Sequence, residues 1–298
     1  MSRHTESISQ TPMPPGNTPL VELPALSPDG ARLYAKLEWY NPTGSIKDRA
    51  AWNMFQNARR DGQLPPGTPL IEATSGNTGI GLARLATVNG YEMTVALPDN
   101  STEERKQLLR AYGAKLVEVS GGSNAAVERA RNMVADGLGF MCYQYGNPGN
   151  PESHEFGTAL ELIDQWPQTT PPDGVFCAYG TGGTITGIGR GLIKEYPNIK
   201  IHSVEEFTSD PISGMRSQDD PFQPPVADLS LVTHRHEVTK NQAASMVSKT
   251  IAAEGHFVGT SSGAIIHAAV EYLEQNGGTA IAVLPDAGWK YLSGPPWV

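Results

Sequence analysis

The feature that most constrains the fold is a regular alternation of short apolar runs with longer helical patterns through most of the chain. Strands and helices in alternation favour parallel sheets covered by helices on both faces. The predicted strands are Arg32–Leu37, Pro69–Glu72, Met93–Leu97, Lys115–Val119, Gly174–Ala178, Lys200–Val204 and Thr279–Leu284. The predicted helices are Asp48–Asp61, Thr78–Asn89, Ser101–Tyr112, Ala125–Asp136, Ile185–Glu195, Gln242–Ala253 and Gly263–Asn276. The sequence therefore predicts an α/β protein.

A chain of 298 residues is long enough for two domains of ordinary size. The turn-rich segment at residues 146–152 predicts a domain junction. We expect a smaller α/β domain over residues 38–148, and a larger one formed by residues 1–37 together with 149–298. Each is expected to be a mostly parallel, twisted sheet flanked by helices. The polar residues 1–12 predict a disordered tail.

The charge balance excludes some partners. Acidic residues outnumber basic ones by 31 to 22, which argues against nucleic acid or an anionic membrane as the main partner. No apolar run reaches the length of a membrane span. Cys142 and Cys177 lie in apolar runs without metal or redox spacing, which predicts buried thiols and a reducing, cytoplasmic location.

The predicted helix that starts at Ser101 has a capping-box spacing, with Glu104 three residues further on. Its acidic residues come first and its basic residues follow, which suits the helix dipole. This pattern is typical of a solvated helix on the protein surface.

Four turns rich in glycine, serine or threonine precede predicted helices. In the first, residues 41–49, Lys47 lies in the first helical turn, where the dipole disfavours an ammonium and so eases deprotonation. A neutral amine is what imine formation requires. The alternative is a surface lysine whose neighbour Asp48 supplies the favourable charge at that helix end.

The second turn, Thr74–Gly79, lies between an apolar strand and a helix. Free backbone N–H groups and hydroxyls at a helix N-terminus bind anions such as a carboxylate. An ordinary capped turn is the alternative.

The third turn is Gly180–Gly187, where glycines allow a phosphate to approach the backbone. Ile185 replaces a glycine of the dinucleotide fingerprint, and no P-loop lysine follows, so the pattern favours a phosphate monoester over NAD or ATP. A glycine-rich turn without a ligand is the alternative. The fourth turn, Gly259–Gly263, either presents a hydroxyl to a ligand or caps its helix.

In combination and in this order, the four turns resemble the β-replacement branch of fold-type II pyridoxal-5′-phosphate (PLP) enzymes, which includes the cysteine synthases and cystathionine β-synthases. The resemblance extends from Gly16–Leu20 to Asp286–Ser293. It implies the tryptophan synthase β-like fold, PLP as the cofactor and an amino acid as the substrate.

The resemblance also implies roles for individual residues. Lys47 would hold PLP as an imine and act as the catalytic base, and Asn77 would bond the 3′-oxygen of PLP. Ser261 would face the pyridine nitrogen. The phosphate cup would be Gly180, Thr181, Gly182, Gly183 and Thr184. The substrate carboxylate would be bound by Thr74, Ser75, Gly76, Thr78 and Gln144.

The implied reaction is β-replacement on an activated L-serine, in which loss of the β-substituent gives an aminoacrylate to which a nucleophile adds. With sulfide or a thiocarboxylate as the sulfur donor, the product is L-cysteine. A neutral hydroxyl at Ser261 cannot keep the pyridine nitrogen protonated as an aspartate would, which suits elimination over transamination.

The sequence departs from acetylserine-using members at residues 214–224, where Arg216 stands in place of a glycine-rich segment. With the ending Gly288–Ser293, this is similar to cysteine synthases that accept O-phosphoserine. Arg216 would bind the phosphate leaving group. The alternative is a surface arginine paired with Asp219 or Asp220, and O-acetylserine stays open as the donor.

Two other functions remain open at this point. One is the same first half-reaction followed by attack of an amine or another thiol, as in 2,3-diaminopropionate-type or cystathionine synthesis. The other is a PLP-binding protein without catalysis, against which the intact set of Lys47, Asn77 and Gln144 argues. The resemblance further implies a homodimer, and a small sulfur-carrier protein as a partner of some members.

Overall fold

The computed structural model describes residues 13–74 and 76–294. The predicted N-terminal tail, Ser75 of the predicted carboxylate loop and the final residues 295–298 lie outside the described residues. No helix within the described ranges is long and apolar enough to cross a membrane.

The secondary structure alternates as expected from the sequence. The strands are β1 (Leu20–Glu22), β2 (Ala31–Leu37), β3 (Leu70–Ala73), β4 (Met93–Pro98), β5 (Lys115–Val119), β6 (Phe140–Met141), β7 (Gly174–Ala178), β8 (Lys200–Glu206), β9 (His234–Val238) and β10 (Gly278–Leu284). The helices are α1 (Lys47–Arg60), α2 (Asn77–Asn89), α3 (Glu103–Ala111), α4 (Gly122–Ala135), α5 (Gly149–Ser153), α6 (Ala159–Gln165), α7 (Gly183–Glu195), α8 (Lys240–Glu254) and α9 (Thr260–Asn276).

The strands form two sheets. A six-stranded sheet has the order β1-β2-β10-β7-β8-β9, and all its pairs are parallel except β1 with β2. A four-stranded parallel sheet has the order β5-β4-β3-β6. The prediction of an α/β fold with two mostly parallel sheets is therefore confirmed. The domain boundaries at residues 37/38 and 148/149 stay a prediction.

Each sheet buries apolar side chains on both faces, as helix-covered parallel sheets do. One core of the six-stranded sheet includes α8 and α9, and the opposite core includes α6 and α7. In the four-stranded sheet, α1, α2 and α3 cover one face and α4 covers the other. Cys142 and Cys177 are buried, free thiols, as predicted.

All seven predicted strands and all seven predicted helices are present, with ends shifted by a few residues. The sequence did not predict β1, β9, α5 or a π-helix at His154–Thr158. β1 is too short to show a periodic pattern, and β9 alternates histidines with charged residues.

The interpretation of α3 as a solvated helix holds for only one of its faces, on which Glu103, Gln107 and Arg110 are exposed. Arg105 and Lys106 are buried, and Arg105 is only 1% exposed. The helix begins at Glu103, and the hydroxyl of Thr102 donates to the Lys290 carbonyl at 2.8 Å. The Ser101–Glu104 capping box does not form, because Thr102 and not Ser101 is the N-cap residue, and Glu104 accepts hydrogen bonds from Ser293 instead.

A buried ionic network places the start of α1. The Arg49 guanidinium contacts the Glu38 carboxylate at 2.7 Å and the Glu161 carboxylate at 2.6 Å. The Lys36 ammonium joins the network through Glu161 at 2.8 Å. Moving Arg49 away from its partners would leave uncompensated buried charges, which is costly. The network therefore holds the first turn of α1 against the six-stranded sheet.

Helix α7 packs so closely against the preceding helical segment that two of its positions have no room for a side chain. A Cβ at Gly187 would lie 2.1 Å from the Pro151 carbonyl oxygen, and one at Gly191 would lie 2.4 Å from the Ala159 Cβ. This close contact fixes the position of α7, and of the turn before it, relative to the π-helix.

We expect Gly187→Ala to lower the free energy of unfolding by about 1–3 kcal/mol, because rigid backbone lies in the way of the new methyl group. Gly189→Ala is the matched control in the same helix. Its Cβ would meet only side-chain atoms of Leu231 and Ile201, at 3.3 Å or more, while helix propensity improves. Urea unfolding followed by circular dichroism measures both variants, and equal midpoints would contradict the close-packing argument.

Candidate active site

One cavity lies where the carboxyl ends of the two parallel sheets meet. The turns after β2, β7 and β10 reach it from the six-stranded sheet, and those after β3 and β6 reach it from the four-stranded sheet. Ligands of open α/β sheets bind at this edge of the strands. Eleven of the predicted site residues line the cavity: Lys47, Thr74, Asn77, Thr78, Gln144, Gly180, Thr181, Gly182, Thr184, Arg216 and Ser261.

Lys47 is the first residue of α1 and lines this cavity. Burial lowers the pKa of its amine from 10.5 to about 8, and the negative charge of Asp286 opposes that shift. The amine is therefore far more often neutral near pH 8 than an exposed lysine is. Such an amine can form an imine and can accept a proton.

The predicted carboxylate loop lies at the N-terminus of α2, whose first N–H groups have no partner within the helix. Gly76 has a φ of +148°, and a Cβ there would lie 2.5 Å from the Cδ of Arg105. The Thr74 hydroxyl accepts a hydrogen bond from the Gly76 amide at 3.0 Å. The loop is thus held in shape by its own residues and by α3.

Gln144 connects this loop to the turn after β6. Its Nε2 donates to the Ala73 carbonyl at 2.8 Å, and its Oε1 accepts from the Thr78 hydroxyl at 2.6 Å. The Gln144 side chain is buried and lines the cavity. The second hydrogen of Nε2 is consequently oriented by two fixed contacts.

The predicted phosphate cup is the turn from β7 into α7. A Cβ at Gly180 would lie 2.7 Å from the Gly214 carbonyl oxygen, and one at Gly183 would lie 2.1 Å from the Asn150 Oδ1. Glycine is therefore required at both positions, by the backbone of Gly214 in the first case and by the buried side chain of Asn150 in the second. Gly76 and Gly183 are absent from the cavity wall itself, although both neighbour residues that form it.

Ser261 is the second residue of α9, is buried and lines the cavity. Its place at the start of a helix, after Gly259, agrees with a hydroxyl presented to a ligand. The capping alternative fails for this residue, because no side chain caps the N-terminus of α9.

Arg216 lines the cavity and is 6% exposed, so it is not a surface arginine. Its guanidinium contacts the Asp220 carboxylate at 3.0 Å and the Asn124 amide oxygen at 3.0 Å. It also lies 5.2 Å from the ring centre of Tyr145 and 5.1 Å from that of Phe222. The pairing with Asp220 was one of the two alternatives for this residue, but it occurs at the site.

The sequence did not predict a cluster of charged and polar side chains at the cavity wall, where Arg105 and Tyr291 line the cavity beside Asn77. The Asp286 carboxylate accepts from the Asn77 amide at 2.7 Å and from the Tyr291 hydroxyl at 2.8 Å. The Arg105 guanidinium donates to Tyr291 at 2.6 Å and lies 3.8 Å from Asp286. The Lys290 ammonium donates to the Asn77 Oδ1 at 2.9 Å.

Sequence signals for this cluster were weak. Asp286, Lys290 and Tyr291 belong to a segment noted for its resemblance, but nothing local indicates what they contact. Arg105 lies in a helix with the charge pattern of a surface helix. Its partner Tyr291 is 186 residues away in the chain.

The geometry describes a cavity with a deprotonation-prone lysine, two anion-binding helix N-termini and a buried hydroxyl. A family model described as "Pyridoxal-phosphate dependent enzyme" matches residues 12–286. The chain belongs to this family of PLP-dependent enzymes. The predicted cofactor follows from this membership.

Curated relatives cover nearly the whole chain. A cysteine synthase of Staphylococcus aureus is 38% identical over 292 residues, which are 94% of this chain and 94% of the relative. Cysteine synthase B of Salmonella typhimurium is 38% identical over 283 residues, 93% of this chain and 92% of the relative.

Solved structures agree with the fold. O-ureido-L-serine synthase superposes with a TM-score of 0.88 at 32% identity, covering 95% of this chain and 92% of that one. A hydrogen sulfide-producing enzyme from Fusobacterium nucleatum gives a TM-score of 0.87 at 34% identity, covering 93% and 97%.

The residues of the cavity fit PLP. The amine of Lys47 has the lowered pKa that imine formation with the cofactor aldehyde needs. The N-terminus of α7, with glycines at close backbone contacts, suits a phosphate monoester. Asn77 and Ser261 line the space between these two groups.

The lowered pKa of Lys47 predicts the pH dependence of cofactor attachment. In cofactor-free protein, the rate at which PLP forms its visible absorption band should rise with pH through a midpoint near 8, because the amine becomes nucleophilic as it loses its proton. Stopped-flow absorbance measures this rate. Lys249→Ala, at an exposed position, should leave the profile unchanged. A midpoint near the ordinary lysine value of 10.5 would contradict the argument.

Proposed function

We propose that the protein is a PLP-dependent cysteine synthase, which replaces the β-substituent of an activated L-serine by sulfur. The observation that carries the proposal is the single cavity in which Lys47, Asn77, Gln144, Ser261 and the Gly180–Thr184 turn come together. The cysteine synthases of two bacteria, each 38% identical over more than nine tenths of the chain, support the same reaction.

When bound, PLP supplies the electron sink that makes the α-proton of the amino acid acidic. Lys47 would hold the cofactor, and its Nζ would accept the α-proton of the substrate. Its pKa of about 8 suits a base that must be neutral near physiological pH. Asp286 keeps a negative charge near this amine and so stabilises it after proton uptake.

The substrate carboxylate binds at the N-terminus of α2. Backbone N–H groups after Gly76, the Thr74 hydroxyl and the free Nε2 hydrogen of Gln144 converge on this position. The Thr78 hydroxyl orients Gln144 by donating to its Oε1. Ser75, which lies outside the described residues, is proposed as a further ligand from the sequence alone.

The start of α7 would hold the cofactor phosphate. Its ligands would be the backbone N–H groups and the hydroxyls of Thr181 and Thr184, which line the cavity. The neutral hydroxyl of Ser261 would face the pyridine nitrogen, which would limit charge build-up at the α-carbon and favour loss of the β-substituent.

Arg216 favours O-phosphoserine over O-acetylserine as the donor substrate. Its buried guanidinium faces the cavity and is oriented by the rings of Tyr145 and Phe222. A guanidinium binds a phosphate through two parallel hydrogen bonds. Asp220 pairs with Arg216 at 3.0 Å. The N–H group of Arg216 in this pair must leave Asp220 before it can donate to the substrate phosphate.

A second function retains the first half-reaction and changes the nucleophile. O-ureido-L-serine synthase, whose product carries oxygen on the β-carbon, superposes with a TM-score of 0.88. The same cavity would then admit an amine, another thiol or an oxygen nucleophile in place of sulfide.

The proposal includes three further expectations from the sequence. The protein is a homodimer, it lies in the cytoplasm, and its sulfur donor is a small sulfur-carrier protein. A wider cleft continues outward from Arg216 between Gly121 and Lys240. Such a cleft is compatible with an extended sulfur donor.

The deciding experiment is the visible absorption spectrum of the purified protein with PLP, before and after addition of each serine donor. We expect an absorption band of the lysine-bound cofactor that changes on addition of the donor, and release of L-cysteine when sulfide follows. Lys47→Ala should remove both the band and turnover. Full activity of Lys47→Ala, or a wild-type protein without the absorption band of the lysine-bound cofactor, would contradict the proposal.

Arg216→Met should lower kcat/KM with O-phosphoserine by roughly tenfold or more, the loss typical of a charge-assisted hydrogen bond. The loss with O-acetylserine should be much smaller. Arg190→Met, at a surface arginine paired with Asp228, is the control. Equal losses with the two donors would reject the proposed role of Arg216.

A further inference from the structure

Lys290 is a second buried lysine beside the active site. It ends the short 3-10 turn Gly288–Lys290 and is 0% exposed. Its ammonium donates to the Asn77 Oδ1 at 2.9 Å and to the Gly44 carbonyl oxygen at 3.2 Å. The cavity wall includes Asn77 but not Lys290, so Lys290 lies behind Asn77.

These contacts determine which way the Asn77 side chain faces. An ammonium can only donate hydrogen bonds, so its partner on Asn77 must be the carbonyl oxygen. The Nδ2 of Asn77 then points to the other side, where one hydrogen is donated to the Asp286 carboxylate at 2.7 Å. The second hydrogen has no acceptor among the described residues and is available to a ligand in the cavity.

We propose that Lys290 is a positioning residue, whose ammonium fixes the Asn77 carboxamide so that an N–H faces the 3′-oxygen of the cofactor. The inference rests on the proposed function and extends it to a residue outside the cavity wall. An inverted amide would turn its carbonyl oxygen toward the cofactor oxygen and Asp286, and three acceptors would then face one another.

The second contact of Lys290 connects this orientation to the catalytic lysine. Gly44, whose carbonyl accepts from the ammonium, belongs to the turn that leads into Lys47. Lys290 therefore joins two of the loops that carry predicted cofactor contacts. Its ammonium thus contacts both the turn that precedes the imine-forming amine of Lys47 and the side-chain amide of Asn77.

The ammonium form that this role needs is present at neutral pH. Burial lowers the pKa of Lys290 to about 8, while the carboxylates of Asp286 and Asp48 oppose that shift and Arg105 adds to it. Below pH 8 the charged form therefore predominates.

The test is a double-mutant cycle on the affinity of the cofactor-free protein for PLP, measured by quenching of tryptophan fluorescence. Lys290→Met should weaken PLP binding about tenfold, the typical loss of a hydrogen bond to a charged group. Asn77→Ala should weaken binding by a similar factor. The double variant should bind about as weakly as Asn77→Ala alone, because Lys290 acts through Asn77.

Lys249→Met, at an exposed lysine, is the matched control and should bind PLP like the wild type. Should Lys290→Met not fold, Lys290→Leu takes its place in the same cycle. Additive losses, or unchanged affinity in the lysine variant, would overturn the role of Lys290 alone. A wild-type protein that fails to bind PLP would overturn the proposed function and this inference together.

Discussion

The arrangement of the site depends on one buried carboxylate. Asp286 follows β10 in the six-stranded sheet, yet its side chain accepts a hydrogen bond from Asn77, at the start of a helix that covers the four-stranded sheet. Its backbone carbonyl accepts from Gly259 and Ser262 at the start of α9. Because an isolated buried carboxylate would be costly, the surrounding donors and the nearby Arg105 guanidinium are required together. The carboxylate of Asp286 therefore links the two sheets, through its hydrogen bond with Asn77 and its contact with Arg105.

Parallel strands explain why so many functional groups reach one cavity. The carboxyl ends of β2, β7 and β10 lie along one edge, and α1 and α7, which follow β2 and β7, have their N-termini at that edge. The second sheet presents its own carboxyl edge to the same space. Helix N-termini bind anions, which suits the phosphate and the carboxylate that a PLP enzyme must hold at once. The order and direction of the strands therefore bring to one cavity the helix N-termini that suit these two anionic groups.

Much of this could be predicted from the sequence, because strand–helix alternation and glycine-rich turns are local patterns. The cluster around Arg105 at the cavity wall could not, since burial of Arg105 depends on Tyr291 and Asp286, which lie far away in the chain. A charged residue on a helix is ordinarily exposed, and only its partners reverse that expectation. Strand β9 was not predicted for a related reason, because its half-buried histidines pack against the Tyr272 and Phe176 rings instead of forming an apolar run.

The contacts of the last described residues with α3 have a consequence for cooperativity. Ser293 donates to Glu104 through both its amide and its hydroxyl, and the Lys290 carbonyl accepts from Thr102. These bonds join a segment that follows the six-stranded sheet to a helix of the four-stranded sheet. Local opening of α3 must break them together with the buried contacts of Arg105. The free energy of that opening consequently includes part of the stability of the other sheet, and the two cores protect each other against partial unfolding.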